Sequence, residues 1–125
     1  HFDGILLKVE ADSLMLIFRS VVKAVKCAFG MVDVAREYNI GRPDKEHILP
    51  CVGVGAGTML RIGEHDVYGE EVNSASKLGE DTAKAWEILV TEEVRKGYGN
   101  SRGLKFIPLA DVPSGVGAAY KLMRS

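Results

Sequence analysis

Three groups of residues in the chain have types and spacings that suit chemistry. Lys8 and Asp12 stand four residues apart in a run that alternates apolar and polar, so a cation and a carboxylate fall on one strand face beside a turn, within reach of ligand atoms. The alternative for this pair is a plain solvated strand face. Further on, Asp66-Val67-Tyr68-Gly69 leads into a helical segment in which Asn73 and Lys77, at i and i+4, project from one side. An amide and an ammonium one turn apart can hold a sugar and a phosphate; the alternative is a loop followed by the polar face of an ordinary surface helix. The third group is Gly53, Gly55 and Gly57, a G-x-G-x-G run after a strand. It fits neither the dinucleotide fingerprint, whose third glycine comes one residue later at a helix start, nor the phosphate-binding loop. The latter continues Gly-Lys-Ser/Thr, where this chain has Thr58, Met59, Leu60 and Arg61. The run is expected instead to let another backbone or a partner surface approach closely.

Other chemistries find no support. His1, His47 and His65 share no metal-ligand spacing with one another or with Cys27 and Cys51, which argues against zinc. The two cysteines stand in unrelated segments with no CxxC and read as reduced thiols. There is no G-x-S-x-G elbow, so nucleophilic hydrolysis has no positive sign. The 16 Lys and Arg are matched by 17 Asp and Glu, so the chain as a whole carries no field suited to a nucleic-acid partner. No run of about 18 apolar residues occurs and the N-terminus has no basic leader, so the expectation is a cytoplasmic domain with no membrane insertion of its own, even if it belongs to a larger or membrane-attached signalling protein.

The elements that must position these residues follow from periodicity. At 125 residues and 13.6 kDa, residues 1–125 suit a single domain that buries roughly two thirds of its unfolded surface without staples. Ile5 to Asp12 alternates with period two and Leu14 to Phe18 follows so closely that the two form an antiparallel hairpin. Ser20 is placed to cap a helix with an apolar stripe at Val21, Val25, Ala28, Phe29, Val32 and Ala35, fading near Tyr38. His47 to Gly55 is apolar on nearly every residue and reads as a central strand. A helix is expected over Glu70 to Ala83, a strand over Glu87 to Val90 and a short helix over Thr91 to Lys96. Strands over Leu104 to Leu109 and Ala118 to Met123 close the chain. The order β-β-α-β-α-β-α-β-β predicts an α+β fold, a ferredoxin-like sandwich whose mixed, mostly antiparallel sheet has helices packed on it.

Read in order, Lys8-Val9-Glu10-Ala11-Asp12, Val52-Gly53-Val54-Gly55, the stretch from Asp66 to Lys77 and Glu87-Ile88-Leu89-Val90-Thr91 resemble the class III nucleotidyl cyclase domain of adenylate and guanylate cyclases. The likeness runs from about Gly4 to Met123, and D-x-Y-G-x-x-V-N-x-A-S-K is its specific part. It implies a homodimer of head-to-tail protomers with two composite sites at the interface. There the ribose 3′-OH of ATP would attack the α-phosphate, giving 3′,5′-cyclic AMP and pyrophosphate. By the same resemblance Lys8 donates to the ring nitrogen of adenine and Asp66 accepts its exocyclic amine, a pair that matches adenine's acceptor and donor edge. Asp12 corresponds to the second of two aspartates that bind Mg²⁺ or Mn²⁺, two ions in the complete domain. Asn73 corresponds to the asparagine that orients the ribose, and Lys77 stands where an arginine usually steadies the phosphates.

The departures from that pattern carry expectations of their own. The strand with the first metal-binding aspartate has no counterpart, so the chain is expected to be the C-terminal part of a cyclase catalytic domain, N-terminally truncated and inactive alone. Lys77 offers a point charge in place of a planar fork. Leu109-Ala110-Asp111-Val112 occupies a place where the family often has a lysine. The leading expectation is an adenylate cyclase; the alternative is a catalytically silent, cyclase-like module for nucleotide sensing or dimerisation in a signalling protein.

Overall fold

The structure, a computed structural model, describes residues 5–10, 13–18, 20–57, 60–62, 66–98, 103–113 and 115–124. Strands β1 (Ile5–Glu10) and β2 (Ser13–Ile17) form the expected antiparallel hairpin. One irregularity interrupts it: the register shifts between Leu6 and Lys8, so the strict alternation of β1 breaks there.

Helix α1 runs Val21–Asn39, and the Ser20 hydroxyl caps it by accepting from the Lys23 amide at 3.3 Å. Its buried stripe is Val25, Ala28, Val32 and Ala35. Of these, Val25, Ala28 and Val32 meet Ile88, Val90, Val94 and Leu122 in the main core. At its C-terminal end the buried Asn39 side chain brackets Ile48, accepting from its amide at 2.7 Å and donating to its carbonyl at 2.9 Å. That clamp returns the chain toward the sheet after a 3₁₀ turn at Asp44–Glu46.

The long apolar strand expected from His47 to Gly55 is corrected by the structure to a short one, β3 (Val52–Val54). Ile48 and Leu49 are 48% and 54% exposed, and Pro50 has no N–H to give a ladder. Nor is β3 central: the four-stranded sheet has the order β3-β6-β8-β7, which places β3 at one end. The centre belongs to β6 (Ile88–Thr91), buried at all four residues. β3 pairs with it in parallel, whereas β8 (Ala119–Arg124) pairs antiparallel with both β6 and β7 (Leu104–Pro108). The sheet is therefore mixed and mostly antiparallel, as expected.

Successive residues of β6 serve two layers. Ile88 and Val90 face α1, and Leu89 joins Leu78 and Ala119 in a second cluster on the other side. A hairpin that periodicity missed, β4 (Leu60–Ile62) with β5 (Asp66–Tyr68), forms a separate two-stranded sheet ahead of α2 (Glu70–Ser76). The expected helix from Glu70 to Ala83 is α-helical only through α2 and continues over Lys77–Thr82 as one π-helical turn. Helix α3 (Glu92–Tyr98) follows β6 directly and packs beside α1.

Candidate active site

The site is built around α2 and the bed it lies on. A Cβ added at Gly53 would overlap the Ala75 carbonyl oxygen and the Gly79 amide nitrogen, and one added at Gly55 would overlap the Glu71 carbonyl oxygen. The glycine run of β3 is thus the surface on which a second backbone rests, as its spacing led us to expect. Leu78, fully buried, holds the far end of the helix against Leu89 and Ala119.

On that bed Asn73 and Lys77 stand one turn apart. The Lys77 amide donates to the carbonyls of Asn73 and Ser74, and the Asn73 amide donates to that of Gly69 at 3.1 Å. Asn73 is exposed and Lys77 half-buried. The Lys77 ammonium lies against the turn before β8, where a Cβ on Gly115 would come within 3.0 Å of Nζ. The helix widens from Lys77 onward: the Ala83 amide reaches the Leu78 carbonyl at 2.7 Å, and the Thr82 hydroxyl donates to the Lys77 carbonyl at 3.1 Å. A π turn of this kind re-aims the residues around it, and such turns recur at functional sites.

Asp66 opens β5, paired with Ile62, where a loop was expected. A single unit of strand, glycine turn and helix therefore carries Asp66, Asn73 and Lys77. Lys8 lies in β1 opposite Met15, in the other two-stranded sheet. Asp12 lies outside the described residues. Among the described residues no three His, Cys, Asp or Glu side chains cluster as a metal site. The residue that the resemblance offers to a metal is Asp12.

Sequence reasoning passed over Glu71. Its Oε1 accepts from the Ala56 amide at 2.8 Å and from the hydroxyl of Thr91, a residue only 3% exposed, at 2.6 Å. The only signal in the sequence was an acidic pair, Glu70-Glu71, in the first turn of a helix.

A second charged group ties α3 to β8. Glu92 accepts from the Tyr120 hydroxyl and from Arg95 Nε, the latter at 2.8 Å, and Arg95 also lies over the Tyr120 ring, 5.3 Å from its centroid. The Tyr120 and Arg95 bonds hold the Glu92 carboxyl below the usual range, while the Glu92 bond pushes the Tyr120 hydroxyl up. Both cysteines are free thiols, and burial pushes that of Cys27 up. Among the described residues no helix is long and apolar enough to cross a membrane.

The class this architecture defines is the adenylate/guanylate cyclase fold. An adenylate/guanylate cyclase/hydrolase from Silicibacter pomeroyi superposes with a TM-score of 0.79 at 20% identity, covering 97% of this chain and 71% of that one. The catalytic core of a rhodopsin-guanylyl cyclase with converted specificity, in complex with ATPαS, superposes with a TM-score of 0.74 at 16% identity, covering 99% of this chain and 73% of that one. In sequence, the chain is 29% identical over 76 residues to a protein of Rhizobium meliloti (strain 1021) named "Putative adenylate cyclase 3". The matched residues make up 61% of this chain and 13% of the relative's length. No protein-family model matches.

Proposed function

We propose that the chain is the greater part of an adenylate cyclase catalytic domain, which converts ATP to 3′,5′-cyclic AMP and pyrophosphate as a homodimer. The observation that carries this reading is the β5–α2 unit, which brings Asp66, Asn73 and Lys77 into one run inside a cyclase fold.

In this reading each residue has a bounded task. Lys8 donates to the adenine ring nitrogen and Asp66 accepts the exocyclic amine; guanine presents a carbonyl oxygen and a ring N–H at the corresponding edge, so both contacts would be mismatched. One solved neighbour is a guanylyl cyclase of converted specificity bound to ATPαS. In this chain the candidates for choosing the base are Lys8 and Asp66. Asn73 would hold the ribose so that its 3′-OH faces the α-phosphate, and Lys77 would offset the charge that grows on the phosphate oxygens. Asp12 would hold Mg²⁺ or Mn²⁺, whose contribution is to polarise the phosphate and acidify the attacking hydroxyl.

A catalytically silent module is the second reading, and the specific feature behind it is Lys77, a compact ammonium where the resemblance calls for a bidentate guanidinium. Incubating the full gene product with ATP or GTP and either metal decides between them. Cyclic AMP from ATP supports the enzyme, whereas nucleotide binding without turnover supports the module.

A further inference from the structure

We propose that Glu71 is a positioning residue for the site: its carboxylate fixes where α2 presents Asn73 and where the π turn that continues it presents Lys77. The inference rests on the cyclase reading for its functional part and on geometry alone for the rest.

α2 has seven residues, and Gly69 ahead of it supplies no side-chain cap. Even with the π turn over Lys77–Thr82 that continues it, so short a helix is marginal on its own and takes its place from tertiary contacts. Glu71, in its first turn, supplies such a contact. One oxygen, Oε1, accepts from the Ala56 amide in the loop after β3 and from the Thr91 hydroxyl at the end of β6. The same Thr91 oxygen accepts from the Val94 amide at 3.3 Å and so caps α3. A single carboxylate thereby joins α2 to the central strand and to the start of α3. The loop closes on it from outside, since a Cβ on Gly57 would stand 3.0 Å from Glu71 Cγ.

Asn73 is two residues and Lys77 six residues further along the same helix. Releasing the first turn would let both drift, and a misplacement of about 1 Å costs on the order of 10²-fold in rate where orientation matters. Removing Glu71 also leaves the Ala56 amide and the buried Thr91 hydroxyl without their acceptor. Glutamine keeps an acceptor oxygen at the same reach. Aspartate withdraws it by one methylene.

The test combines amide exchange with kinetics on the full gene product, for wild type and the Glu71→Gln, Glu71→Asp and Glu71→Ala variants, at temperatures where circular dichroism shows each folded. The expected result is that the Ala56 amide exchanges at least tenfold faster in Glu71→Ala than in wild type, with Glu71→Gln close to wild type. In the same proteins kcat for cyclic AMP formation falls at least tenfold in Glu71→Ala, KM for ATP changes less than threefold, and Glu71→Gln restores the rate. Equal protection of Ala56 in wild type and Glu71→Ala overturns the tie, whether or not the protein turns over. A lost tie with unchanged kcat overturns the positioning role and leaves Glu71 merely structural. Should Glu71→Ala fail to fold, Glu71→Asp is read in its place against the same limits. An inactive wild type contradicts the cyclase reading, and the exchange result then still decides whether Glu71 holds the helix.

Discussion

Gly53 and Gly79 meet backbone against backbone: a Cβ on Gly79 would stand 2.9 Å from the Gly53 amide nitrogen, and a Cβ on Gly53 would overlap the Gly79 amide in return. The contact seats the π turn on β3 and fixes how far Lys77 and Leu78 lie from the sheet. Gly53→Ala forces two backbones apart, so it should destabilise the fold by about 3 kcal/mol, the upper end of ordinary overpacking. Gly117→Ala is the control. Its Cβ meets nothing within 4 Å, and it should change stability by less than about 0.5 kcal/mol. Urea midpoints for the two variants check the contrast, and a Gly53→Ala protein as stable as Gly117→Ala would remove the close contact from the account.

The acid limb of stability should depend on Glu92. Its bonds to Tyr120 and Arg95 lower the carboxyl in the folded chain. A depressed folded value means the stabilisation is fully present above the unfolded carboxyl's range and is lost as pH falls through the folded one. Wild type should therefore lose more stability than Glu92→Gln between pH 7 and pH 3, and the two urea-midpoint profiles should converge at the acid end. Parallel profiles over the whole range would contradict the assignment.

Some of these features are local properties of the sequence and others arise only from the fold. Helix α1 was legible because Ser20 and the stripe from Val25 to Ala35 are local signals that its cap and its core both obey. The β1–β2 hairpin and the strands β6, β7 and β8 were legible for the same reason, and the α+β class with them. The β4–β5 hairpin was not, because strands of three residues are too short to show a period of two. β3 is shorter than its apolar run suggests, because Ile48 and Leu49 are exposed and the Asn39 clamp, not a ladder, holds that stretch.

The candidate site divides along the same line. The spacing of Asn73 and Lys77 was visible because it is a property of one helix. Glu71 was invisible because its partners, Ala56 and Thr91, lie 15 and 20 residues away and are joined to it only by the fold. The π turn was invisible too, since it coincides with a glycine contact between β3 and the helix that no local rule encodes.

Lys77 gives the sharpest kinetic contrast among the assigned residues. Lys77→Ala should lower kcat by about 10²-fold, the usual loss when one preorganised charge donor is removed from a reacting group, with KM little changed. Lys77→Arg should keep or raise the rate, since a guanidinium adds a second hydrogen bond. An active enzyme indifferent to Lys77→Ala would remove the side chain from the catalytic machinery.

Base choice should follow Lys8 and Asp66. The full gene product should prefer ATP to GTP in kcat/KM, and the double variant Lys8→Glu, Asp66→Cys should erode that preference by changing which edge of the base finds partners. A parent that prefers GTP before any substitution would show both assignments to be wrong.

The most direct test of the central claim is product analysis. The full gene product, with ATP and Mg²⁺ or Mn²⁺, should release 3′,5′-cyclic AMP and pyrophosphate in equal amounts. Its specific activity should rise with protein concentration as the homodimer forms. Bound ATP recovered intact at every protein concentration, with either metal, would contradict the account.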